Sequence, residues 1–303
     1  MTPTVIAIVG VTAIGKTTLS IELAKHFGSE ILSFDSRQFY KELCIGTAVP
    51  NKSELAAVPH HFIQNISIFD NYNVGQFELD ALVRLNILFK KKPVQIMVGG
   101  SGLYLDAVLK GLDSFPRVDP LIRAQLNAQF KSEGIEILQK QLALLDPVTY
   151  QSIDINNPQR LIRVLEICIE TKKPYSSFIK KTKVTRNFNS IKIGLTAERN
   201  LIYKRINERV DKMIKRGLLS EAKKTHPYKH LNALQTVGYR ELFSYFEGVC
   251  SLDFAVEEIK KNTRRFAKRQ GTWFKKDSSV LWFDCKEDIK HIVNCIELKI
   301  SQM

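Results

Sequence analysis

The sequence predicts an α/β protein, a parallel sheet flanked by helices, with an all-helical insertion. Three observations lead there. Short apolar runs alternate with helical periods over the first hundred residues. The first of those runs passes straight through a glycine-rich loop into a helix. From about 119 to 186 only short helical periods remain, and a strand pattern returns afterwards. The expected division is a core of residues 1–118 and 187–303 and an insertion of 119–186.

Val5-Ile6-Ala7-Ile8-Val9 is a continuous apolar run, the pattern of a strand buried on both faces. Gly10-Val11-Thr12-Ala13-Ile14-Gly15-Lys16-Thr17 follows, with the P-loop spacing of Gly, four residues, Gly-Lys-Thr. Leu19, Leu23 and Phe27 come next at helical spacing, and Gly28 suits a C-cap. Strand, loop and helix N-terminus together aim backbone N–H groups at an anion. The fold class is thereby narrowed to a P-loop nucleoside-triphosphatase-like core. Lys16 would neutralise an outer phosphate, and the Thr17 hydroxyl would reach Mg²⁺. Such loops most often bind a nucleoside triphosphate, so ATP binding goes with the pattern.

Two further strands are expected at 30–34 and 94–98. The second runs into Gly99-Gly100-Ser101-Gly102, and no carboxylate follows until Asp106. The acidic metal partner usual in phosphoryl-transfer enzymes is missing there. Asp35 and Ser101 stand at strand ends, which face the ligand crevice in an open parallel sheet. On spacing alone Asp35 also fits a helix N-cap, the alternative to a site residue. In the insertion, Leu121, Leu126, Ile135, Leu138 and Leu142 fit amphipathic helices and Asp146-Pro147 a turn. Asn157 suits an N-cap with Pro158 at the first helical position, and that helix should bury Leu161, Leu165 and Ile169. Ile191–Leu195 resumes the sheet, and long helices complete the core.

Lys and Arg number 45 against 31 Asp and Glu, a net charge of +14 that argues for a polyanionic partner, either nucleic acid or an anionic membrane surface. No apolar span long enough for a membrane and no signal-peptide layout is visible. The five cysteines are widely spaced without a Cys-x-x-Cys pair, which suits a reducing cytoplasm. His60-His61 lacks nearby ligands for a metal and fits a loop beside the cleft. The charge is patterned. Residues 171–190 hold six Lys or Arg and no acid, a solvated loop or a contact for a phosphate backbone. Arg205, Arg209, Lys212 and Arg216 form one helical stripe, and Ile202, Ile206, Val210 and Met213 another. Lys260, Lys261, Arg264, Arg265, Lys268 and Arg269 form a basic face on a late helix, where Ile259, Phe266 and Trp273 recur every seven residues and should pack inward. Basic faces are often merely solvated. Beside a phosphate site, two of them favour RNA.

Seven segments follow one another in order: Asp35-Ser36-Arg37-Gln38-Phe39-Tyr40, Ile45-Gly46-Thr47-Ala48, Val58-Pro59-His60-His61, Gly99 to Leu105, Arg160 to Glu166, Gln235 to Glu241 and Thr263 to Phe274. This ordered set resembles the tRNA isopentenyltransferase family of bacterial tRNA dimethylallyltransferases from Val5 to about Trp282. The resemblance implies transfer of a dimethylallyl group from dimethylallyl diphosphate to N6 of the adenosine just 3′ of the anticodon, by a cytoplasmic monomer. It implies that the loop 10–17 with Mg²⁺ holds the diphosphate, that Asp35 is the general base, and that Ser101, usually Thr, donates to the bridging oxygen. It places Ser36, Arg37 and Gln38 beside the adenine and assigns tRNA contact to Arg123, Gln159, Arg160, Leu161, Ile162 and Arg163, so that insertion and core grip an anticodon stem-loop. Arg163 also fits an internal pair with Glu166. Val11, Val49, Asn157-Pro158 and Lys172-Lys173 depart from the family pattern without removing a chemical group. An adenylate isopentenyltransferase shares the loop and the Asp but needs neither insertion nor net charge. A P-loop small-molecule kinase and a non-catalytic RNA-binding module are the remaining readings.

Overall fold

The computed structural model describes residues 2–179 and 184–303. It divides into two compact units, residues 1–110 with 186–303 and residues 111–185. Lys180, Lys181 and Lys183 of the expected basic linker lie outside the described residues.

The first unit is a six-stranded sheet, parallel in every pairing, in the order β3-β2-β4-β1-β5-β6. β1 (Thr4–Gly10) is the fully buried run read from the sequence, and α1 (Lys16–Phe27) follows the glycine loop and ends at Gly28 in the left-handed conformation. β2 (Ile31–Ser33) comes next. α2 (Lys52–Ala57) is opened by a capping box of Asn51 and Glu54 and leads to the short β3 (His60–His61). α3 (Val74–Phe89), capped by Asn73, precedes β4 (Val94–Val98) and α4 (Gly102–Lys110).

Among its described residues the second unit has helices and no strand: α5 (Pro120–Glu133), α6 (Ile135–Leu145), α7 (Pro147–Ser152) and α8 (Pro158–Thr171). Asp119, Asp146 and Asn157 cap three of them, each with proline in the first turn. Leu126, Leu138, Leu142, Leu161 and Leu165 form its core. Two expected core positions differ. Leu121 is 67% exposed, and Ile169 is 40% exposed because Cys168 takes the inward place on α8. The unit begins at 111 rather than 119. Phe115, ahead of the first helix, stacks on Tyr175 at 4.7 Å and lies under the Arg163 guanidinium, which ties the lead-in segment to this unit.

The chain returns at Arg186, whose guanidinium donates to the Val108 and Ala107 carbonyls at 2.9 and 2.8 Å and pairs with Glu78 at 2.5 Å. β5 (Asn189–Thr196), α9 (Arg199–Lys215), α10 (Leu218–Thr225), α11 (Tyr239–Phe246), α12 (Leu252–Lys275), β6 (Val280–Asp284) and α13 (Ile289–Ser301) complete the first unit. β3 and β6 are strands that the sequence reading did not place. The alternation of β1 explains the layers. Ile6 and Ile8 pack among Leu19, Leu23, Ile292 and Ile296, while Val5, Ala7 and Val9 pack among Phe77, Leu85, Leu105 and Phe274 on the other face.

Candidate active site

β1 delivers the glycine loop at the carboxyl edge of the sheet, between β4 and β5. Gly10 has φ +142°, and a Cβ there would lie 2.9 Å from the Leu195 carbonyl oxygen, so this loop closes only on glycine. Thr12 to Thr17 line a cavity of about 630 Å³, and Lys16 and Thr17 begin α1 on its wall. Gly10 and Val11 do not reach that cavity. They border a separate depression and offer their carbonyls to Lys16 Nζ at 3.0 and 2.9 Å. Burial pulls the Lys16 pKa down to about 8, reinforced by Arg209 and opposed by Asp35.

The stripe on α9 faces this cavity, which corrects its assignment to an RNA-facing surface. Arg205, Arg209, Lys212 and Arg216 line the space above the loop, because Ile206 and Val210 bury the opposite side of the helix. Arg209 donates to Thr12 Oγ1 at 3.1 Å, and Arg205 to the Ile14 carbonyl at 3.2 Å. So many cations around backbone N–H groups suit a multiply charged phosphate.

A second cavity of about 580 Å³ adjoins the first. Thr12, Asp35, Thr47, Ala48 and Arg209 line both. Asp35 follows β2, and its Oδ1 accepts the Arg37 N–H at 3.1 Å. The N-cap alternative is thus met in part, since the carboxylate caps a turn but no helix follows. Burial raises the Asp35 pKa above its ordinary value, and the Arg37 N–H, Lys16 and Arg209 hold the rise in check. Ser101 follows β4. Its Oγ accepts the Ser36 N–H at 3.1 Å and lies 3.0 Å from Ser36 Oγ. Ser36, Arg37 and Ser101 line the second cavity and Gln38 the first. Arg37 is anchored on the carbonyls of Asn232 and Ala233, and Gln38 on those of Thr47 and Ala48.

Three features escaped the sequence reading. Gln270 on α12 is buried. It accepts the Thr12 N–H at 2.9 Å and donates to the Gly100 carbonyl at 3.0 Å, tying the phosphate loop to the strand end that carries Ser101. Its place in the Thr263–Phe274 segment was visible, its direction was not. Phe266 and Trp273 do not pack inward as the seven-residue spacing suggested. They are 38% and 45% exposed and line the second cavity, where Trp273 lies against Gly102. Only Ile259 of that set is core. The basic face of α12 is partly neutralised: Lys260 pairs with Asp211 and Glu257, Lys261 with Glu258, and Arg264 bonds Asn207.

In the helical unit Arg123 and Arg163 both pair with Glu166, whose side chain is 3% exposed. Burial pushes the Glu166 pKa up, and the two guanidinium partners more than offset it, leaving it lowered. The internal pair weighed for Arg163 is therefore present. Leu161 and Ile162 are core residues at 0% and 4% exposure, with no surface to offer a partner, which corrects their assignment to tRNA contact. Gln159 and Arg160 are exposed at the start of α8.

Comparison with known proteins places this geometry. The family model described as IPP transferase matches residues 38–277. A tRNA dimethylallyltransferase of Christiangramia forsetii is 60% identical over 98% of each chain, and one of Flavobacterium psychrophilum is 56% identical over 98% of each. Among solved structures, the full-length tRNA isopentenylpyrophosphate transferase of Bacillus halodurans superposes with a TM-score of 0.74 at 36% identity, covering 99% of this chain and 97% of its own. A eukaryotic dimethylallyltransferase acting on tRNA gives 0.78 at 26% identity, with 94% and 74% covered.

Proposed function

The chain belongs to the IPP transferase family, and from that premise we infer that its two joined cavities prenylate tRNA across Asp35. It transfers a dimethylallyl group from dimethylallyl diphosphate to N6 of an adenosine, the one immediately 3′ of the anticodon, and releases diphosphate. The observation that carries the reading is the half-buried Asp35 carboxylate on the shared wall, with a cation-lined phosphate site on one side and an aromatic-lined opening on the other.

The adenine amine is a poor nucleophile that must lose a proton. In this reading N6 attacks the allylic C1, the C1–O bond breaks toward the diphosphate, and Asp35 takes the amine proton. Burial raises the basicity of Asp35, which suits that task. Lys16, Arg205, Arg209 and the N–H groups at the start of α1 hold the charge that develops on the departing oxygens. Where Ser36 directs both its N–H and its O–H at Ser101 Oγ, the Ser101 proton is left for the bridging oxygen. Among the described residues no cluster of His, Cys, Asp or Glu is arranged to hold a metal ion. Thr17, a hydroxyl in the first turn of α1 on the wall of the phosphate cavity, would hold a Mg²⁺ there. Such an ion supplies further charge neutralisation to the leaving group.

A flipped adenine suits the second cavity, since RNA recognition in loops works on unstacked bases and aromatic faces. Gln159 and Arg160 are the parts of the insertion that we assign to the tRNA. Among the described residues no helix is long and apolar enough to cross a membrane. Five free thiols fit a cytoplasmic enzyme, and by its resemblance to the family we take it to act as a monomer. The test is transfer of radiolabelled dimethylallyl diphosphate to unmodified tRNA with Mg²⁺, beside an AMP control. Label in tRNA, lost when the adenosine after the anticodon is replaced, is the expected result. Label in AMP alone would overturn the tRNA reading, and label in neither would overturn the prenyl-transfer reading.

A further inference from the structure

The wall between the two cavities is a backbone loop, and its support lies outside the groups already assigned. Thr47 and Ala48 line both cavities, and their carbonyls anchor the Gln38 amide at 3.2 and 3.0 Å. Gln38 Oε1 lies 3.3 Å from Ser33 Oγ, and that hydroxyl accepts the Asp35 N–H at 3.2 Å. The position of Asp35 thus depends on where residues 47 and 48 stand.

What fixes that loop is one carboxylate. Glu221 on α10 accepts from three consecutive backbone N–H groups: Cys44 at 3.0 Å, Ile45 at 2.8 Å and Gly46 at 2.9 Å. Its Oε1 also takes the Tyr239 O–H at 2.6 Å. Tyr239 is completely buried, and its ring lies so close to Gly46 that a Cβ there would sit 2.6 Å away. Immediately beyond, Ala48 holds φ +53°, an unusual value for a residue with a side chain. Three N–H groups converging on an anion form a concave nest of the kind that binds phosphates, here filled from within by the protein's own carboxylate.

We propose that Glu221, with Tyr239, is a positioning residue for prenyl transfer, holding the 44–48 loop so that Gln38 and Ser33 keep Asp35 on the shared wall. Charge-assisted hydrogen bonds to backbone N–H groups are among the stronger ones available, and three converge on this group, with the Tyr239 O–H as a fourth donor. Replacing the carboxylate by an amide keeps the shape but turns one acceptor into a donor. Since Ile45 N–H contacts both oxygens and each oxygen has a further donor, either amide orientation sets donors against donors.

The inference rests on the prenyltransferase reading, and the experiment separates the two. Full-length wild type, Glu221→Gln and Tyr239→Phe are compared in single-turnover transfer to an anticodon stem-loop, with enzyme in excess. An inactive wild type overturns the functional reading itself. With an active wild type, the rate constant should fall at least tenfold in Glu221→Gln and two- to fivefold in Tyr239→Phe, while the Kd for the stem-loop stays within threefold. Partial unfolding lowers the amplitude and leaves the rate constant of the folded fraction alone, so a merely structural role does not reproduce that pattern. A Glu221→Gln rate constant within threefold of wild type overturns the proposal. If Glu221→Gln does not fold, Tyr239→Phe decides, because it keeps the carboxylate and its three N–H partners. An unchanged rate constant there overturns the proposal too.

Discussion

Replacing Asp35 by asparagine separates chemistry from architecture at the shared wall. The amide keeps an oxygen where Oδ1 accepts the Arg37 N–H at 3.1 Å, so the turn survives while the proton acceptor is lost. A positioned general base contributes about 10²–10⁴-fold, or roughly 3–5 kcal/mol of barrier. The single-turnover rate should fall by that factor, with stem-loop affinity within threefold of wild type. Stability should move the other way. Burial raises the folded pKa of Asp35 above 3.8, so as pH rises through that window the unfolded chain releases a proton that the folded chain retains. The carboxylate therefore costs stability at neutral pH, and that cost fades as pH falls toward 3.8. At pH 7, Asp35→Asn should melt at or above the wild-type temperature, with a smaller difference in acid. The wild-type rate should also show an acid limb above 3.8 that the variant lacks. A variant rate within threefold of wild type, or a full wild-type acid limb in the variant, would refute the assignment.

Lys16, with its pKa pulled down to about 8 in the free enzyme, should regain its proton when a phosphate chain binds, so that binding above pH 8 takes up protons. Calorimetry of an unreactive allylic diphosphate analogue in two buffers of different ionisation enthalpy measures this, and no uptake would contradict the burial argument. Trp273→Ala should weaken stem-loop binding by about 1–3 kcal/mol, the worth of one base–aromatic contact, with little change in diphosphate affinity. Gly102→Ala, whose Cβ would lie 2.1 Å from the Trp273 indole nitrogen, should mimic it. In the helical unit, Glu166→Gln should cost about 1–3 kcal/mol by denaturant titration, since its two arginine partners are half exposed and can turn to water. The Glu166 pKa is lowered in the fold, so its contribution should be present above 4.5 and lost as pH falls further.

The sheet was legible because β1, β4 and β5 are buried on both faces and therefore apolar throughout. β3 has only two residues, and β6 carries a short run that a sequence window assigns to neither strand nor helix. The phosphate loop was legible because glycines and a lysine are dictated there by backbone geometry and charge. The α9 cations were seen but aimed wrongly, since a period gives a face and not the neighbour it meets. Phe266 and Trp273 failed for a related reason: an apolar residue on a core-spaced position can line an open cleft, where it meets a substrate instead of a neighbour. Gln270 and Glu221 are ordinary polar residues in the sequence, and their importance arises from backbone groups 170 or more residues away.

The Arg186 staple has an evolutionary consequence. A single guanidinium grips the carbonyls at the end of α4 where the chain leaves the sheet-bearing unit, and it sits where the chain comes back. Departure and return are stitched within that unit by its own residues. A segment so bracketed can lengthen, shrink or be traded for another without reopening the hydrophobic layers beneath, so selection on which RNA is gripped can proceed separately from selection on the bond being made.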